Sequence, residues 1–135
     1  NMKPMLWPDM VASCGSVDTG PDLINIYTLP SYLDPDANLY NQYHSGQWGS
    51  FNSCSFYKNE DVDAKLDKAR VIGDMDERLA LYADAQRQII ADQPSVWMYT
   101  EDSLVGFNDC VKGYLYSPMY PITVLFQDLW MDGCN

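Results

Sequence analysis

Hydrophobic positions recur at helical spacing in the middle of the chain. In "NEDVDAKLDKARVI" the spacing places these residues on one side of a helix: Val62, Leu66, Ala69 and Ile72 (or Val71). The next stretch, "GDMDERLALYADAQRQIIADQP", has the clearest helical pattern of the sequence. Its predicted inner face consists of Leu79, Tyr82, Ala83, Gln86, Ile89 and Ile90. An Asp-x-x-Glu start at Asp74 and Glu77 and a stop at Pro94 define the ends of this helix.

Two shorter helices are predicted nearer the start of the chain. "PDMVAS" begins with Pro8, which suits the first turn of a helix. In "DPDANLYNQY", Asp34 has the side chain of an N-cap, Pro35 suits the first helical position, and Asp36 favours the positive end of the helix dipole. Leu39 and Tyr43 share a face of this helix.

Alternating or β-branched runs predict strands at four or five places. These are "LINIYTL" (23–29), "SVWMYT" (95–100), "SLVGF" (103–107) and "VKGYLYSP" (111–118). The apolar tail "YPITVLFQDLWMDGC" (120–134) contains either a further strand or a docking segment. The resulting fold class is α/β, a mixed α+β arrangement. With 135 residues, the chain is a single domain or a fragment of a longer protein.

Charge and composition narrow the possible partners. The net charge of −11, with eight Lys and Arg residues spread thinly, argues against nucleic acid and anionic membrane surfaces. Ten Tyr and four Trp residues, concentrated near loops, suit a ligand cleft or a protein interface. Binding is therefore favoured over catalysis.

The cysteines indicate an oxidising compartment. Cys14, Cys54, Cys110 and Cys134 are widely spaced and form no C-x-x-C pair, which favours two disulfides over a zinc site. Three pairings are possible, and buried reduced thiols are the alternative.

No catalytic or metal site stands out. His44 is the only histidine and lies in a polar loop, where such a residue is usually solvated. "DPDAN" lacks the central glycine and closing glutamate of an EF-hand loop, and its aspartates fit a helix start better. We therefore expect no enzyme activity, no cofactor and no metal.

The ordered set of segments resembles a known family. A strand, "DPD" opening a helix, "YKNEDVDAKLDKA", "DMDERLALYADAQRQIIADQPSVWMYTEDSL" and "VKGYLYSP" follow one another as in the C-terminal portion of the dipeptide- and oligopeptide-binding receptors of ABC importers (family 5). The resemblance covers residues 23 to 120. It implies part of one lobe of a two-lobed periplasmic-binding-protein-like fold, without most of one cleft wall.

The resemblance also implies a function. Such receptors are periplasmic or extracellular, possibly anchored at the cell surface, and act as monomers. They capture a small polar solute by cleft closure and deliver it to a membrane permease.

The expected ligand contacts lie in "IYTLPSYLDPD". Peptide-binding members have a tryptophan and then an aspartate here, whereas this chain has Tyr27 or Thr28 and then Ser31. A sugar-like solute therefore fits as well as a peptide. The predicted ligand-binding residues are Tyr27, Thr28, Ser31, Tyr32 and Trp48.

Two other functions stay open. The first is a self-contained secreted interaction module stapled by disulfides, which would fold cooperatively on its own. The second is a hydrolase fragment that uses paired carboxylates.

Overall fold

The computed structural model describes residues 4–100, 102, 104–117 and 124–133. The chain divides into two compact units, Asn1–Val96 and Trp97–Asn135. The first contains helices α1 (Trp7–Ser13), α2 (Pro35–Tyr43), α3 (Glu60–Val71) and α4 (Met75–Asp92), with short 3-10 turns at Ser45–Gln47 and Phe51–Ser53. The second contains the strands β1 (Val111–Lys112) and β2 (Trp130–Met131) and a 3-10 turn at Phe126–Asp128. The mixed helix and sheet class is confirmed.

Local sequence signals determine where the helices begin. Asn59 caps α3 by accepting hydrogen bonds from the backbone N–H groups of Asp61 and Val62. Asp74 caps α4 in the same way, accepting from the N–H of Glu77 at 2.8 Å. Helix α4 ends at Asp92, and its C-cap Gln93 has a left-handed backbone (φ 52°) and precedes Pro94. The predicted start of α4 at Asp74 and its predicted stop before Pro94 are confirmed.

The core of the first unit lies between α2, α3 and α4. Its buried members are Tyr43, Val62, Leu66, Ala69, Tyr82, Ala85 and Ile89. The predicted face of α3 is confirmed. On α4 the predicted face is partly wrong: Tyr82 and Ile89 are buried, Ala83 is half-buried, and Leu79, Gln86 and Ile90 are exposed. The buried stripe of α4 is rotated toward Ala85, whose small side chain is fully buried in the core shared with α3.

A disulfide joins the start of the first unit to the loop before α3. Cys14 follows α1 and is bonded to Cys54, which is 40 residues away in sequence. Beside this bridge, the rings of Trp7 and Phe51 meet edge to face with centroids 5.2 Å apart. The sequence left three pairings of the four cysteines open, and the structure selects the one in which Cys14 is bonded to Cys54. Cys110 is also disulfide-bonded, and Cys134 lies outside the described residues.

Several predicted strands are absent from the described structure. Residues 23–29 and 95–100, and 104–107 of the stretch 103–107, form no ladder. Exposure nevertheless alternates residue by residue along 23–30, as it would in a strand. The predictions were wrong because alternation reports only which side chains are covered, whereas a strand also requires a hydrogen-bonded neighbour.

The second unit has a small antiparallel ribbon. Val111 pairs with Met131, and Lys112 pairs with Trp130, so strands are confirmed within "VKGYLYSP" and within the tail, although each is only two residues long. Gly113 follows β1 with φ +86°, and a Cβ there would lie 2.2 Å from the backbone oxygen of Asp128. Only glycine fits this turn.

Candidate functional site

The start of α2 is built as the sequence predicts. The Asp34 side chain accepts a hydrogen bond from the backbone N–H of Asp36 at 2.9 Å, with Pro35 in the first turn. The backbone of Asp34 is extended (φ −154°, ψ 144°), as an N-cap requires. The helix therefore begins where residues 27–33 end, and its first turn supports that segment.

Arg78 of α4 holds the Asp34 carboxylate from the other side. Its two terminal nitrogens donate to the two carboxylate oxygens at 2.8 and 2.7 Å, which is the bidentate geometry of a strong charge-assisted pair. Its Nε donates to the backbone oxygen of Ala69, near the end of α3, at 3.0 Å. One guanidinium thus joins α2, α3 and α4.

Asp36 is the centre of a second set of contacts. The hydroxyl of Tyr32 donates to its carboxylate at 2.5 Å, and the hydroxyl of Tyr82 donates to it at 3.3 Å. The Nε of Arg70, on α3, lies 3.3 Å from the same carboxylate, and its guanidinium lies 4.0 Å from the ring centroid of Tyr40. Asp36 is buried. The positive charge of Arg70 and the hydrogen bonds from Tyr32 and Tyr82 offset the cost of burying its carboxylate.

These two acids and two arginines form a balanced cluster, which we call the Asp–Arg network (Asp34, Asp36, Arg70 and Arg78, with Tyr82). The hydrogen bonds from Arg78 hold the pKa of Asp34 below its usual value. The hydrogen bond to Asp36 raises the pKa of Tyr32 to about 12. The first shift favours the ionised form of Asp34, and the second favours the neutral phenol of Tyr32, as the geometry requires.

The predicted contacts of residues 27–32 lie together on one irregular segment that leads into α2. Tyr27, Ser31 and Tyr32 are exposed, whereas Thr28 is half-buried. Tyr32 keeps 40% of its surface accessible although its hydroxyl is bonded to Asp36. The segment therefore presents aromatic and hydroxyl groups to solvent beside the Asp–Arg network, and the ligand-binding role of these residues stays a prediction.

Trp48 belongs to a different aromatic cluster. Its Nε1 donates to the backbone oxygen of Tyr57 at 2.8 Å, and its ring meets Phe56 edge to face at 6.1 Å. Phe56 has a positive φ of 48°, which is rare for a bulky residue. Within the described residues we find no hydrogen bond or ring contact between Trp48 and residues 27–32, so the structure does not bring the predicted contacts into one cluster.

His44 is packed rather than solvated, which corrects the expectation from its loop sequence. Its Nδ1 accepts from the N–H of Gly46 at 2.9 Å, and its ring stacks on Tyr40 at 4.3 Å. Its Nε2 lies 3.3 Å from the Asp67 carboxylate without a well-aligned hydrogen bond. A histidine that caps the 3-10 turn after α2 has a structural role.

The second unit has an apolar pocket of its own, about 290 Å³ in volume. Its lining residues are Phe107, Val111, Phe126, Leu129, Trp130 and Met131. Among the described lining residues, none has a charged, amide or hydroxyl side chain that could orient a ligand. Within the described ranges, no group of three or more His, Cys, Asp and Glu side chains could hold a metal ion. No helix in the part of the chain described is long and apolar enough to cross a membrane.

Comparison with known proteins gives two similar sequences. The chain is 30% identical over 90 residues, 67% of its length, to the probable D,D-dipeptide-binding periplasmic protein DdpA of Escherichia coli (strain K12). It is 40% identical over 82 residues, 60% of its length, to Protein XP55 of Streptomyces lividans. The matched segments cover 17% and 15% of these relatives. No protein-family model matches the chain, and no solved structure matches it significantly.

The similarity supports a distant relationship to periplasmic dipeptide-binding proteins.

Sequence reasoning identified the start of α2 but missed the arginines and Tyr82 that surround it. In the sequence, Arg70 and Arg78 look like ordinary charged residues of a helix. Asp34 and Arg78 are also 44 positions apart. The available signal was the placement of Arg78 one turn before Tyr82 on the buried stripe of α4, where a charged residue needs a partner.

Proposed function

We propose that the protein is the solute-binding component of an ABC importer. It captures a small polar solute, peptide or sugar-like, by cleft closure and delivers it to a membrane permease, without enzymatic activity and without a cofactor. The similarity to a dipeptide-binding periplasmic protein over 67% of the chain carries this proposal. Because the chain matches a small part of each relative, the activity belongs to the whole protein.

The geometry of the first unit supports a binding role. The segment from Tyr27 to Tyr32 is partly exposed, and its end is held by the hydrogen bond from Tyr32 to Asp36 of α2. The start of α2 is in turn held to α4 by the pair between Asp34 and Arg78. A site that must select a solute benefits from side chains whose positions are already set, because less freedom is lost on binding. Tyr27, Thr28, Ser31 and Tyr32 are the proposed contacts, with Trp48 in a second cluster.

A periplasmic or extracellular location follows from the same proposal. The E. coli relative is named as periplasmic, and the Cys14–Cys54 bridge is stable in an oxidising compartment. The formal charge of −11 is unsuited to nucleic acid. The permease and the solute are therefore the proposed partners of a monomeric receptor.

The test is solute binding by the full-length protein purified from its own cells. Bound solute is released by denaturation, identified by mass spectrometry and returned to the emptied protein. Scattering should then give a smaller radius of gyration, and a ligand at a hundred times its dissociation constant should stabilise the protein by about 2.7 kcal/mol. Absence of any bound or rebinding solute, with no change in radius, would contradict the proposal.

A second candidate is favoured by the disulfide pairing. Cys14 and Cys54 are joined within the chain, as expected of a self-contained secreted interaction module. Cooperative unfolding of this chain alone, with partner proteins instead of solutes bound to it, would favour this candidate over the receptor.

A further inference from the structure

Tyr32 offers its ring, not its hydroxyl, to a ligand. The phenolic hydrogen is already donated to Asp36 at 2.5 Å, and Asp36 is in turn fixed by Tyr82 and Arg70. Tyr32 as a whole residue remains 40% exposed in the segment that leads into α2. A ligand group that contacts Tyr32 therefore meets a flat aromatic surface whose orientation is fixed by the hydrogen bond to Asp36.

The neighbouring acids are not available to a cationic ligand. Between residues 23 and 59 the sequence contains two acidic residues, Asp34 and Asp36. Asp34 already accepts two hydrogen bonds from Arg78 and one from a backbone N–H. Asp36 is buried, accepts a hydrogen bond from Tyr32 and is paired with Arg70.

The arginines make the same surface unfavourable for an ammonium group. An ammonium that approaches Asp36 comes close to the partly exposed guanidinium of Arg70, and one that approaches Asp34 comes close to Arg78. Each acid is matched by one guanidinium, so this cluster offers a cation no net attraction. Like charges at close range disfavour the approach instead.

We propose that the site is specific for an uncharged ligand group with a flat C–H face, which stacks on Tyr32 and needs no ammonium. This inference rests on the proposed function and deepens it by naming the ligand chemistry. A saccharide ring has such a C–H face, and a peptide with a blocked amino terminus presents C–H groups without an ammonium. Ser31 and Thr28 lie in the same segment and supply hydroxyl groups to such a ligand.

The experiment compares three probes by calorimetry on the emptied full-length protein. They are D-alanyl-D-alanine, its N-acetyl derivative, which removes the ammonium, and cellobiose, a neutral disaccharide. The N-acetyl dipeptide or cellobiose should bind at least as tightly as the free dipeptide, and which of them does so distinguishes the two sources. Tighter binding of the free dipeptide than of both other probes would overturn the inference while leaving the receptor function intact.

Variants of Tyr32 separate the ring from the hydroxyl. Tyr32→Ala should weaken the best probe by about tenfold, whereas Tyr32→Phe should retain affinity within about threefold. Circular dichroism of both variants checks that α2 is still folded. Equal loss in the two variants, or no loss in either, would overturn the assignment of the ring as the contact. If none of the probes binds to the wild-type protein, the inference fails together with the receptor function for these solutes.

Discussion

The bidentate pair between Arg78 and Asp34 can be removed while most of the side-chain volume is kept. Arg78→Met retains the aliphatic stem and has nearly the helix propensity of arginine. It removes the two hydrogen bonds to Asp34 and the bond to the Ala69 carbonyl oxygen. Asp34 remains the N-cap of α2, so the variant tests the attachment between helices without deleting a helix.

The expected cost follows from the burial of the pair. The side chains of Arg78 and Asp34 are 18% and 27% exposed, so solvent screens their interaction only partly. Removing Arg78 leaves the Asp34 carboxylate without its charge partner in a poorly solvated position. Hydrogen bonds to charged groups and broken buried pairs together suggest a loss of about 2–4 kcal/mol in the free energy of unfolding.

Arg87 provides a matched control on the same helix. It pairs with Asp84, and the two side chains are 72% and 52% exposed. Arg87→Met should change the free energy of unfolding by less than about 0.5 kcal/mol. Urea unfolding followed by far-ultraviolet circular dichroism at neutral pH compares the two variants. Equal destabilisation by both would refute the claim that the Asp–Arg network holds α2 to α4.

The pH dependence gives the same prediction a second readout. The pKa of Asp34 lies below its usual value of 3.8 because Arg78 donates to the ionised carboxylate. A lowered pKa in the folded state means that the stabilisation is present above the unfolded pKa, about 4, and is lost as the pH falls through the folded pKa. The difference between wild type and Arg78→Met should therefore be constant at higher pH and shrink in strong acid.

Three further substitutions test other parts of the structure by the same unfolding measurement or by near-ultraviolet circular dichroism. Replacing Cys14 and Cys54 together by serine opens a bridge across 40 residues and should cost about 4 kcal/mol; a loss below about 1 kcal/mol would contradict this. Leu66→Ala, at a fully buried position, should cost about 2–5 kcal/mol, and a surface-like change would show that the core is placed wrongly. Gly113→Ala should alter the tryptophan signal of the ribbon, whereas Gly106→Ala, with no atom within 4 Å of its Cβ, should not.

Helix boundaries were predictable because they depend on neighbours in sequence. Asp34 and Asp74, the two predicted caps, each accept a hydrogen bond from a backbone N–H two or three residues later. Such a cap needs no information about the rest of the fold. The predictions that failed needed such information: which stripe of α4 is buried, and which extended segments find a ladder partner.

The exposed stripe of α4 shows what periodicity alone leaves undecided. Leu79 and Ile90 recur at helical spacing as faithfully as Tyr82 and Ile89, yet the first two are about half exposed and the last two are buried. A helix with two apolar stripes does not specify in its own sequence which one meets α3. In the structure, the buried stripe is the one that includes Ala85, which is fully buried.

The polar residues at the start of α2 connect the fold to the proposed site. Asp36 is buried, and burying an acid without a partner would be strongly unfavourable. Its partners come from residues before α2, from α3 and from α4, namely Tyr32, Arg70 and Tyr82. These contacts stabilise the buried carboxylate of Asp36. They also orient Tyr32 and leave the negative charge of Asp36 already paired. Replacing Arg70 or Tyr82 would therefore also disturb the carboxylate to which the hydroxyl of Tyr32 is bonded.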